Sequence, residues 1–311
     1  MNIYTTYFAN IRHLPESIIP VSIAGKPPEK CAGYWVKTLN KLTDNFTDEY
    51  IKINYGIEFP FDSIGKNEIV YIVDYSISPE EMDKLLEITS NVIWIDHHKS
   101  AIEKYKNYDK DVKGLRYDGI AGCMLTYCYL FFLTDGVKEF EPEMVESAPL
   151  FTKLIADYDV WTFEFRDKTR KFQKGFELYP HEPEDKIWDN LWGNIFCESD
   201  EMNRIIEAGK IIIEYRKCMM AEYCENKGFE ASLEDYKCFA INMAMVSSDD
   251  FVIDNINDYD ILIGFSYDGD NWNYSLRSTK VDCAVLAMKY GGGGHKGAAG
   301  FSSPDFVLRK L

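Results

Sequence analysis

Two apolar segments separated by a helix-like segment constrain the fold of this chain more than any other feature. The segments at 67–76 (NEIVYIVDYS) and 91–98 (NVIWIDHH) are rich in Val and Ile and stay apolar until they end in acid. Continuous apolar runs of this kind are typical of strands buried on both faces of a parallel sheet. The segment between them, 78–90, opens with Ser78 as a helix N-cap and places apolar residues at helical spacing. Strand, helix and strand in this order predict a right-handed crossover unit.

The remainder of the chain predicts a second, smaller domain. A long amphipathic segment at 201–225 precedes three strand-like segments, a short helix, a glycine loop and a final strand. We therefore expect an α/β protein of two domains, a size that 311 residues accommodate. The expected parts are a larger parallel-sheet domain at 1–195, a linker helix at 196–225 and a smaller mixed-sheet domain at 226–311.

The charge balance restricts the partners of the protein. The chain has 34 Lys and Arg against 51 Asp and Glu, a formal net charge of −17. This disfavours a long nucleic-acid duplex, because duplex binding depends on phosphate neutralisation by a basic face. A small nucleotide or short oligonucleotide held in one pocket is compatible with the charge, above all beside a metal ion.

Two further features indicate the compartment. No apolar run approaches the roughly 20 residues of a membrane span, and the N-terminus lacks a signal-peptide pattern. The eight cysteines include no CxxC pair and are expected to be reduced, buried thiols. We therefore expect a cytoplasmic protein without membrane contact, and leave open whether it forms an oligomer.

Acids and imidazoles collect at the ends of the two apolar segments. Asp74 ends the first, and Asp96, His97 and His98 end the second. Ligand-binding groups gather at the carboxyl ends of parallel strands, and neighbouring strands lie about 4.8 Å apart, so Asp74 and His97 are expected to share an ion. Carboxylate and imidazole without a thiol cluster favour a divalent metal, with Mn²⁺ as the leading candidate and Mg²⁺, Fe²⁺ or Zn²⁺ as alternatives. Because adjacent strand residues point to opposite faces, we expect one histidine to bind the ion and the other to face substrate. The alternative is a hydrogen-bonded acid beside two ordinary turn histidines.

Two later regions add candidate residues. Asp157 and Asp159 (IADYDVW) follow an apolar helix, where acids are ordinarily solvated caps. GGGGHKGAAG at 291–300 lets the backbone approach a ligand and expose N–H groups to anionic oxygens, and its His and Lys add donors. Arg277 and Ser278, at the end of a predicted strand, offer further phosphate contacts. The alternatives are a flexible linker for the glycines and an ordinary exposed pair for Arg277 and Ser278.

Taken together, these segments resemble one family. VYIVDYS, WIDHHKSA, IADYDVW, and SLRST followed by GGGGHKGAAGF resemble, in this order, the DHH phosphoesterase superfamily with its DHH-associated C-terminal domain. That superfamily includes RecJ-type exonucleases, oligoribonuclease-phosphatases, cyclic-dinucleotide phosphodiesterases and family II pyrophosphatases. The resemblance covers about residues 55–311, and the glycine motif disfavours the pyrophosphatase branch.

The resemblance implies a division of roles. Asp74 would bridge two metal ions, and His97 and Asp157 would be ligands of the second ion. Asp96 and His98 would be the catalytic residues, Asp96 holding the site together and His98 facing the scissile phosphate. The metal would lower the pKa of bound water and neutralise charge on phosphate oxygens. The C-terminal domain would bind substrate phosphate through Arg277, Ser278, Gly292, Gly293, Gly294, His295 and Lys296.

The opening of the chain departs from the family pattern. Catalytic members begin with a strand ending in His followed by Asp-x-Asp, which supplies ligands of the first ion. Residues 1–54 do not look like this opening: NIYTTYFANIRHLPESIIP offers Asn10, His13 and Glu16, but no aspartate precedes Asp44. Three consequences are open: the first ion is lost, His13 and Glu16 replace its ligands, or the protein binds a nucleotide without cleaving it.

The leading hypothesis is a metal-dependent phosphoesterase, a hydrolase acting on a small nucleotide. Its substrate would be a short oligoribonucleotide, a linear or cyclic dinucleotide, or a 3′-phosphorylated nucleotide. The alternative is a catalytically degenerate protein of the same fold that binds or senses a nucleotide. A third hypothesis is a structural partner protein in which the motifs are relics.

Overall fold

The computed structural model describes residues 18–23, 27–41, 51–53, 57–133, 139–192, 199–244 and 246–311. The chain divides into two compact units, Met1–Lys210 and Ile211–Leu311. The strands described in the first unit are β1 (Ile18–Ile23), β2 (Ile51–Ile53), β3 (Ile69–Val73) and β4 (Val92–Ile95). The helices are α1 (Pro27–Lys41), α2 (Pro79–Ile88), α3 (Lys99–Lys104), α4 (Gly122–Phe131), α5 (Leu150–Asp159), α6 (Asp167–Phe176), α7 (Lys186–Trp192) and α8 (Asp200–Lys227), the last of which contains the division between the units.

The four described strands of the first unit form a parallel sheet in the order β2-β1-β3-β4. The chain passes from β1 to β2 on one side and then to β3 on the other, so the strand order reverses between β1 and β3. Ligands of open parallel sheets bind outside the carboxyl ends of the strands at such a reversal. The register pairs Ser22 with Val73, so β1 and β3 reach their carboxyl ends at the same edge of the sheet.

The predicted strand–helix–strand unit is confirmed. All five residues of β3 are buried, as expected for a strand covered on both faces. The helix α2 begins with a capping box: the amide of Glu81 donates to Ser78 Oγ at 3.2 Å, and the amide of Ser78 donates to Glu81 Oε2 at 2.8 Å. The helix then buries Met82 and Leu85, which returns the chain to the sheet as β4.

An aromatic core supports the helices behind the sheet. The ring of Trp35 in α1 stacks on Phe151 of α5 with centroids 5.8 Å apart, and Tyr34 stacks on Trp188 of α7 at 5.4 Å. Buried aromatic pairs of this kind add about 0.5–1.5 kcal/mol each beyond the area that they bury. The core therefore fixes α5, the helix that carries the two acids of IADYDVW.

The second unit contains a mixed sheet, as the sequence predicts. Its elements are β5 (Phe229–Leu233), β6 (Tyr236–Asn242), β7 (Ile261–Tyr267), β8 (Trp272–Arg277), α9 (Cys283–Lys289), β9 (Gly293–His295), β10 (Ala298–Ser303) and β11 (Arg309–Lys310). The order is β11-β5-β6-β7-β8-β10-β9, in which β6 and β7 are parallel and the other neighbours antiparallel. One face of the sheet packs on α9 around Leu276 and Phe301.

Most of the described cysteines are buried, as expected. In the part of the chain that the structure describes, six cysteines are free and buried, whereas Cys218 on α8 is free and exposed. Cys218 differs from the expectation because it lies on an outward face of that helix. None of the described helices has both the length and the apolar composition required to cross a membrane.

Candidate metal centre

Asp74 follows the carboxyl end of β3. Its φ angle is 54°, in the left-handed region, which aspartate enters more readily than most other non-glycine residues. The amide of Asp74 donates to the carbonyl oxygen of Ile95 at 2.9 Å, which keeps this residue joined to the neighbouring strand. The carboxylate is buried, and among the described residues no donor makes a well-formed hydrogen bond to Oδ1. A buried carboxylate oxygen requires a compensating cation or proton.

Gly122 provides the space for this carboxylate. It is the first residue of α4, and a Cβ atom placed on it would lie 2.3 Å from Asp74 Oδ1. Any larger residue would displace the carboxylate or the helix. The fold thus reserves room for the charged group of Asp74 at the strand-order reversal.

His97 lies between two carboxylates. Its Nε2 atom is 3.2 Å from Asp74 Oδ1 and 3.4 Å from Asp159 Oδ2. Burial lowers the pKa of His97, but its close contact with Asp74 and the charges of both carboxylates outweigh burial and raise the pKa to about 9. The acids therefore favour a positive charge between them, either a proton on Nε2 or a metal ion in the same space.

Asp96 orients the second histidine. It is fully buried, and its Oδ1 atom accepts a hydrogen bond from the amide of His97 at 2.8 Å and lies 2.7 Å from His98 Nδ1. A carboxylate can only accept, so Nδ1 of His98 donates and its Nε2 atom is left to meet a ligand. The hydrogen bond to Asp96 raises the pKa of His98 above its usual value, although burial opposes this.

The two imidazole rings lie close together. Their centroids are 4.5 Å apart, and one ligand atom each from Asp74, His97 and His98 falls within 4.8 Å of the others. The expectation that adjacent histidines point to opposite faces does not hold, because β4 ends at Ile95 and His98 is already the N-cap of α3. Exposure still separates them: 15% of the His97 side chain is accessible, against 42% for His98. His97 is thus the interior group, and His98 is the one that reaches solvent.

Asp157 is engaged elsewhere. Each of its two carboxylate oxygens accepts two hydrogen bonds; the donors are Thr162 Oγ1 and the amide of Glu164 on Oδ1, and the amide of Phe165 and Thr169 Oγ1 on Oδ2. Burial opposes ionisation, but these donors outweigh it and hold the pKa of Asp157 below its usual range. With both oxygens occupied by two donors each, Asp157 anchors the segment that follows α5. The acid that contacts His97 is Asp159.

The donor set fits a hard divalent cation. One ligand atom each of Asp74, His97 and His98 lies within 4.8 Å of the others, and Asp159 Oδ2 lies 3.4 Å from His97 Nε2. Carboxylate oxygen with imidazole nitrogen is the chemistry preferred by Mn²⁺, Fe²⁺ and Mg²⁺ rather than by soft ions. The unsatisfied Oδ1 atom of Asp74 and the space that Gly122 leaves for it are independent structural signs of the same fit.

The opening strand differs from the expectation. It spans Ile18–Ile23, so Asn10, His13 and Glu16 precede its amino end in sequence and lie outside the described residues. The residues that follow its carboxyl end, where ligand groups gather, are Ala24-Gly25-Lys26-Pro27-Pro28. This sequence contains no acid, so it does not supply the Asp-x-Asp of the family pattern.

In the second unit, Arg277 and Ser278 make local contacts. The guanidinium of Arg277 donates to the carbonyl oxygens of Leu276 at 2.8 Å and Val246 at 2.7 Å. Ser278 Oγ donates to the carbonyl oxygen of Asp260 at 2.6 Å and accepts from the amides of two residues that follow it. Both side chains thus hold the end of β8 in place.

The glycine run joins α9 to the edge hairpin β9–β10. The amides of Gly291 and Gly292 donate to carbonyl oxygens at the end of α9. Gly294 has a φ angle of 144°, and a Cβ on it would lie 2.6 Å from the backbone of Ala299, so close strand packing explains this glycine. A cavity of about 610 Å³ lies over the outer face of the sheet, lined by Gly291, Gly292, Gly300, Ser266, Ser275 and Ser302 among others. An open polar surface therefore lies at the beginning of the glycine run. Lys296 is exposed in the hairpin turn, and the side chain of His295 lies outside the described residues.

The roles of Asp159 and Gly122 had only weak signals in the sequence. Asp157 and Asp159 are two positions apart on a helix and therefore about 200° apart around its axis, so one faces the site and spacing alone does not say which. Gly122 stands at the start of an otherwise strong helical segment, and its role emerges only when β3 is packed beside it.

Comparison with known proteins gives distant relatives. No protein-family model matches the chain. The uncharacterised protein R106 of Acanthamoeba polyphaga mimivirus is 26% identical over 260 residues, which cover 80% of this chain and 56% of the viral protein. The chain thus spans little more than half the length of this curated relative.

Solved structures extend the comparison to the fold. The DHH domain of a member of the S1p family of ribosomal proteins superposes with a TM-score of 0.51 at 12% identity, covering 98% of this chain and 84% of that one. A pGpG-specific phosphodiesterase from Vibrio cholerae is similar at 11% identity and a TM-score of 0.47, over 92% of both chains. The chain shares the α/β fold of DHH-domain proteins.

Proposed function

We propose that the first unit binds one divalent cation between Asp74, His97 and Asp159 and hydrolyses a phosphate ester of a small nucleotide. The observation that carries this proposal is the position of His97 Nε2, 3.2 Å and 3.4 Å from oxygens of two acids. The buried Oδ1 atom of Asp74 supports it, because among the described residues no donor makes a well-formed hydrogen bond to it.

The residues around the cation have distinct roles in this proposal. A divalent cation at this position would neutralise charge on a phosphate oxygen and lower the pKa of a bound water. Asp74, His97 and Asp159 hold the cation. His98, with Nδ1 bound to Asp96, presents Nε2 toward solvent and can donate a proton to the leaving oxygen or stabilise the phosphate charge. Asp96 positions His98 without touching the substrate.

A small substrate is consistent with the charge of the chain. The net charge of −17 opposes a long polyanion, whereas one or two phosphates beside a cation face an attractive local field. We include short oligoribonucleotides, linear and cyclic dinucleotides and 3′-phosphorylated nucleotides. In the second unit, Gly292, Gly293, Gly294, His295 and Lys296 stay proposed phosphate contacts, while Arg277 and Ser278 act by supporting the end of β8.

A second candidate function is nucleotide binding without turnover. The specific observation in its favour is the acid-free sequence Ala24–Pro28 at the carboxyl end of β1. Without a carboxylate from that strand, fewer protein ligands remain for a second ion. Catalysis of in-line displacement by two ions is therefore disfavoured. Such a protein would retain a cation and a nucleotide but would not cleave it.

One experiment separates these functions. The purified chain, depleted of metal and then supplied with Mn²⁺, Mg²⁺ or Co²⁺, is mixed with each substrate class, and product formation and calorimetric binding are measured in parallel. Turnover that is lost in Asp159→Asn and retained in the control Asp167→Asn, an exposed acid of the same region, supports the phosphoesterase. Tight binding without product supports the second function. Absence of both binding and turnover contradicts both.

A further inference from the structure

The segment after α5 is held in an unfavourable conformation. Three of its non-glycine residues have positive φ angles: Trp161 at 63°, Phe163 at 53° and Arg166 at 55°. Each costs about 1–2 kcal/mol, and the cost is greatest for bulky side chains. The four hydrogen bonds to Asp157 offset this strain, because they tie the hydroxyl of Thr162 and the backbone amides of the segment to one buried carboxylate.

The strained segment exposes the indole of Trp161, which packs edge-on against the partly buried rings of Tyr158 and Phe163. Tyr158 and Trp161 have ring centroids 5.1 Å apart, and Trp161 and Phe163 are 4.8 Å apart. The indole of Trp161 is 64% exposed, although burying it would be favourable by roughly 2–3 kcal/mol. The guanidinium of Arg170 lies 4.8 Å from the centroid of Phe163 and supports that ring from α6. We call Tyr158, Trp161 and Phe163 the aromatic platform.

The aromatic platform adjoins the candidate metal centre through the backbone. Asp159, whose Oδ2 atom is 3.4 Å from His97 Nε2, lies between Tyr158 and Trp161 in sequence. Its Cα atom is at most about 7 Å from that of Trp161. The hydrogen bonds to Asp157 therefore hold two neighbouring parts of the chain in place. One is the end of α5, which carries Asp159, and the other is the turn that follows it, which carries Trp161.

We infer that the aromatic platform stacks the nucleobase of the substrate while its phosphate lies at the metal centre. This inference rests on the proposed function and names the part of the substrate that gives specificity. An exposed indole two residues along the chain from a proposed cation ligand matches a molecule with a flat base and an anionic phosphate. Base–aromatic stacking contributes about 1–3 kcal/mol per base and tolerates any base, since every base has a π face. The platform thus selects nucleotides over sugar phosphates without reading their sequence.

The test compares two ligands that share a phosphate and differ in the base. Adenosine 5′-monophosphate and ribose 5-phosphate are titrated by calorimetry, with Mn²⁺, into the full chain and into Trp161→Ala, Trp161→Phe and the control Tyr215→Ala. Tyr215 is a 69% exposed aromatic on α8. Circular dichroism melting checks that each variant is folded.

We expect Trp161→Ala to weaken adenosine 5′-monophosphate binding about 5- to 150-fold, the range that corresponds to loss of one stacked base. Ribose 5-phosphate binding should not change, Trp161→Phe should retain most of the affinity, and Tyr215→Ala should match the wild type. Unchanged affinity for adenosine 5′-monophosphate in a folded Trp161→Ala variant would overturn the inference while leaving the metal centre intact.

A fluorescence measurement separates failure of the platform from failure of the proposed function. The difference between wild-type and Trp161→Phe emission reports on Trp161, and adenosine, which has no phosphate, should quench it. Quenching in a protein that does not bind phosphate with Mn²⁺ would contradict the proposed function and keep the platform. If the protein bound phosphate with Mn²⁺ but adenosine did not quench this emission, the aromatic platform would be contradicted and the proposed function kept.

Discussion

Gly122 and Asp74 approach so closely that a Cβ atom on Gly122 would lie 2.3 Å from Asp74 Oδ1. The substitution Gly122→Ala therefore tests the metal centre without removing a ligand. Helix propensity alone would make alanine favourable by up to about 1 kcal/mol, but the clash must move the carboxylate. We expect affinity for Mn²⁺, measured by calorimetric titration, to fall at least about tenfold.

Gly65→Ala is the matched control for this prediction. A Cβ on Gly65 would meet only the end of the flexible Glu68 side chain, at 3.0 Å, so Mn²⁺ affinity should be unchanged. Equal Mn²⁺ affinity of Gly122→Ala and wild type would show that the Asp74 carboxylate does not bind the ion in this position.

Asp157→Asn and Asp159→Asn should have opposite phenotypes. Asp157 accepts four hydrogen bonds, and an amide NH₂ cannot accept from donors, so Asp157→Asn should lower the free energy of unfolding by about 2–4 kcal/mol. Asp159→Asn removes a charge beside His97 and should mainly reduce Mn²⁺ affinity, by about 10- to 100-fold, with little loss of stability. Urea denaturation and metal titration on both variants measure the two quantities, and the reverse pattern would place the ligand at Asp157.

These two acids illustrate what the sequence could and could not predict. The apolar runs at 67–76 and 91–98 predict the strands, and their terminal acids and histidines follow because parallel strands end at one edge. Which of Asp157 and Asp159 faces that edge depends on how α5 packs on the aromatic core of Trp35 and Phe151, a long-range contact that spacing along one helix does not encode.

The opening strand was harder to place for a different reason. Its sequence, IIPVSI, contains proline and lies beside other β-compatible residues, so its bounds depend on pairing with β3 rather than on local pattern. Only that pairing identifies Ala24–Pro28 as the segment that follows its carboxyl end. The absence of an aspartate before Asp44 is visible in the sequence, whereas the bounds of the strand that precedes Ala24–Pro28 come from the sheet.

The stability of the second unit should depend on pH through Asp250. Its buried carboxylate accepts hydrogen bonds from Nε and a terminal nitrogen of Arg216 and from the amide of Ser247. Burial opposes ionisation, but these donors outweigh it and hold the pKa of Asp250 below its usual range. A depressed pKa means that the unfolded chain binds the proton more readily, so the stabilisation is complete above an unfolded pKa of about 3.9 and is lost as pH falls through the folded value.

Asp250→Asn measures this contribution. At pH 7 the variant should be about 1–3 kcal/mol less stable in urea denaturation, because Arg216, whose side chain is 43% exposed, loses a charged hydrogen-bond partner but stays solvated. The difference from wild type should shrink as the pH is lowered below about 4. The exposed Asp270→Asn substitution is the control and should leave stability unchanged at every pH; a deficit of Asp250→Asn that is independent of pH would show that loss of charge is not its cause.

The last prediction separates the two histidines. His97 is buried between Asp74 and Asp159, whereas His98 is oriented by Asp96 and reaches solvent. His97→Ala should therefore lower Mn²⁺ content and turnover together. His98→Ala should keep most of the Mn²⁺ and lose turnover by about 10²- to 10⁴-fold, the usual contribution of a general acid or base. Asp96→Asn should weaken turnover in the same direction as His98→Ala, because it replaces the charged acceptor that holds the proton on Nδ1 with a neutral amide oxygen, a weaker acceptor. Metal analysis by mass spectrometry and single-turnover kinetics test these outcomes. If His97→Ala kept full Mn²⁺ occupancy, the cation would have to lie away from His97 Nε2.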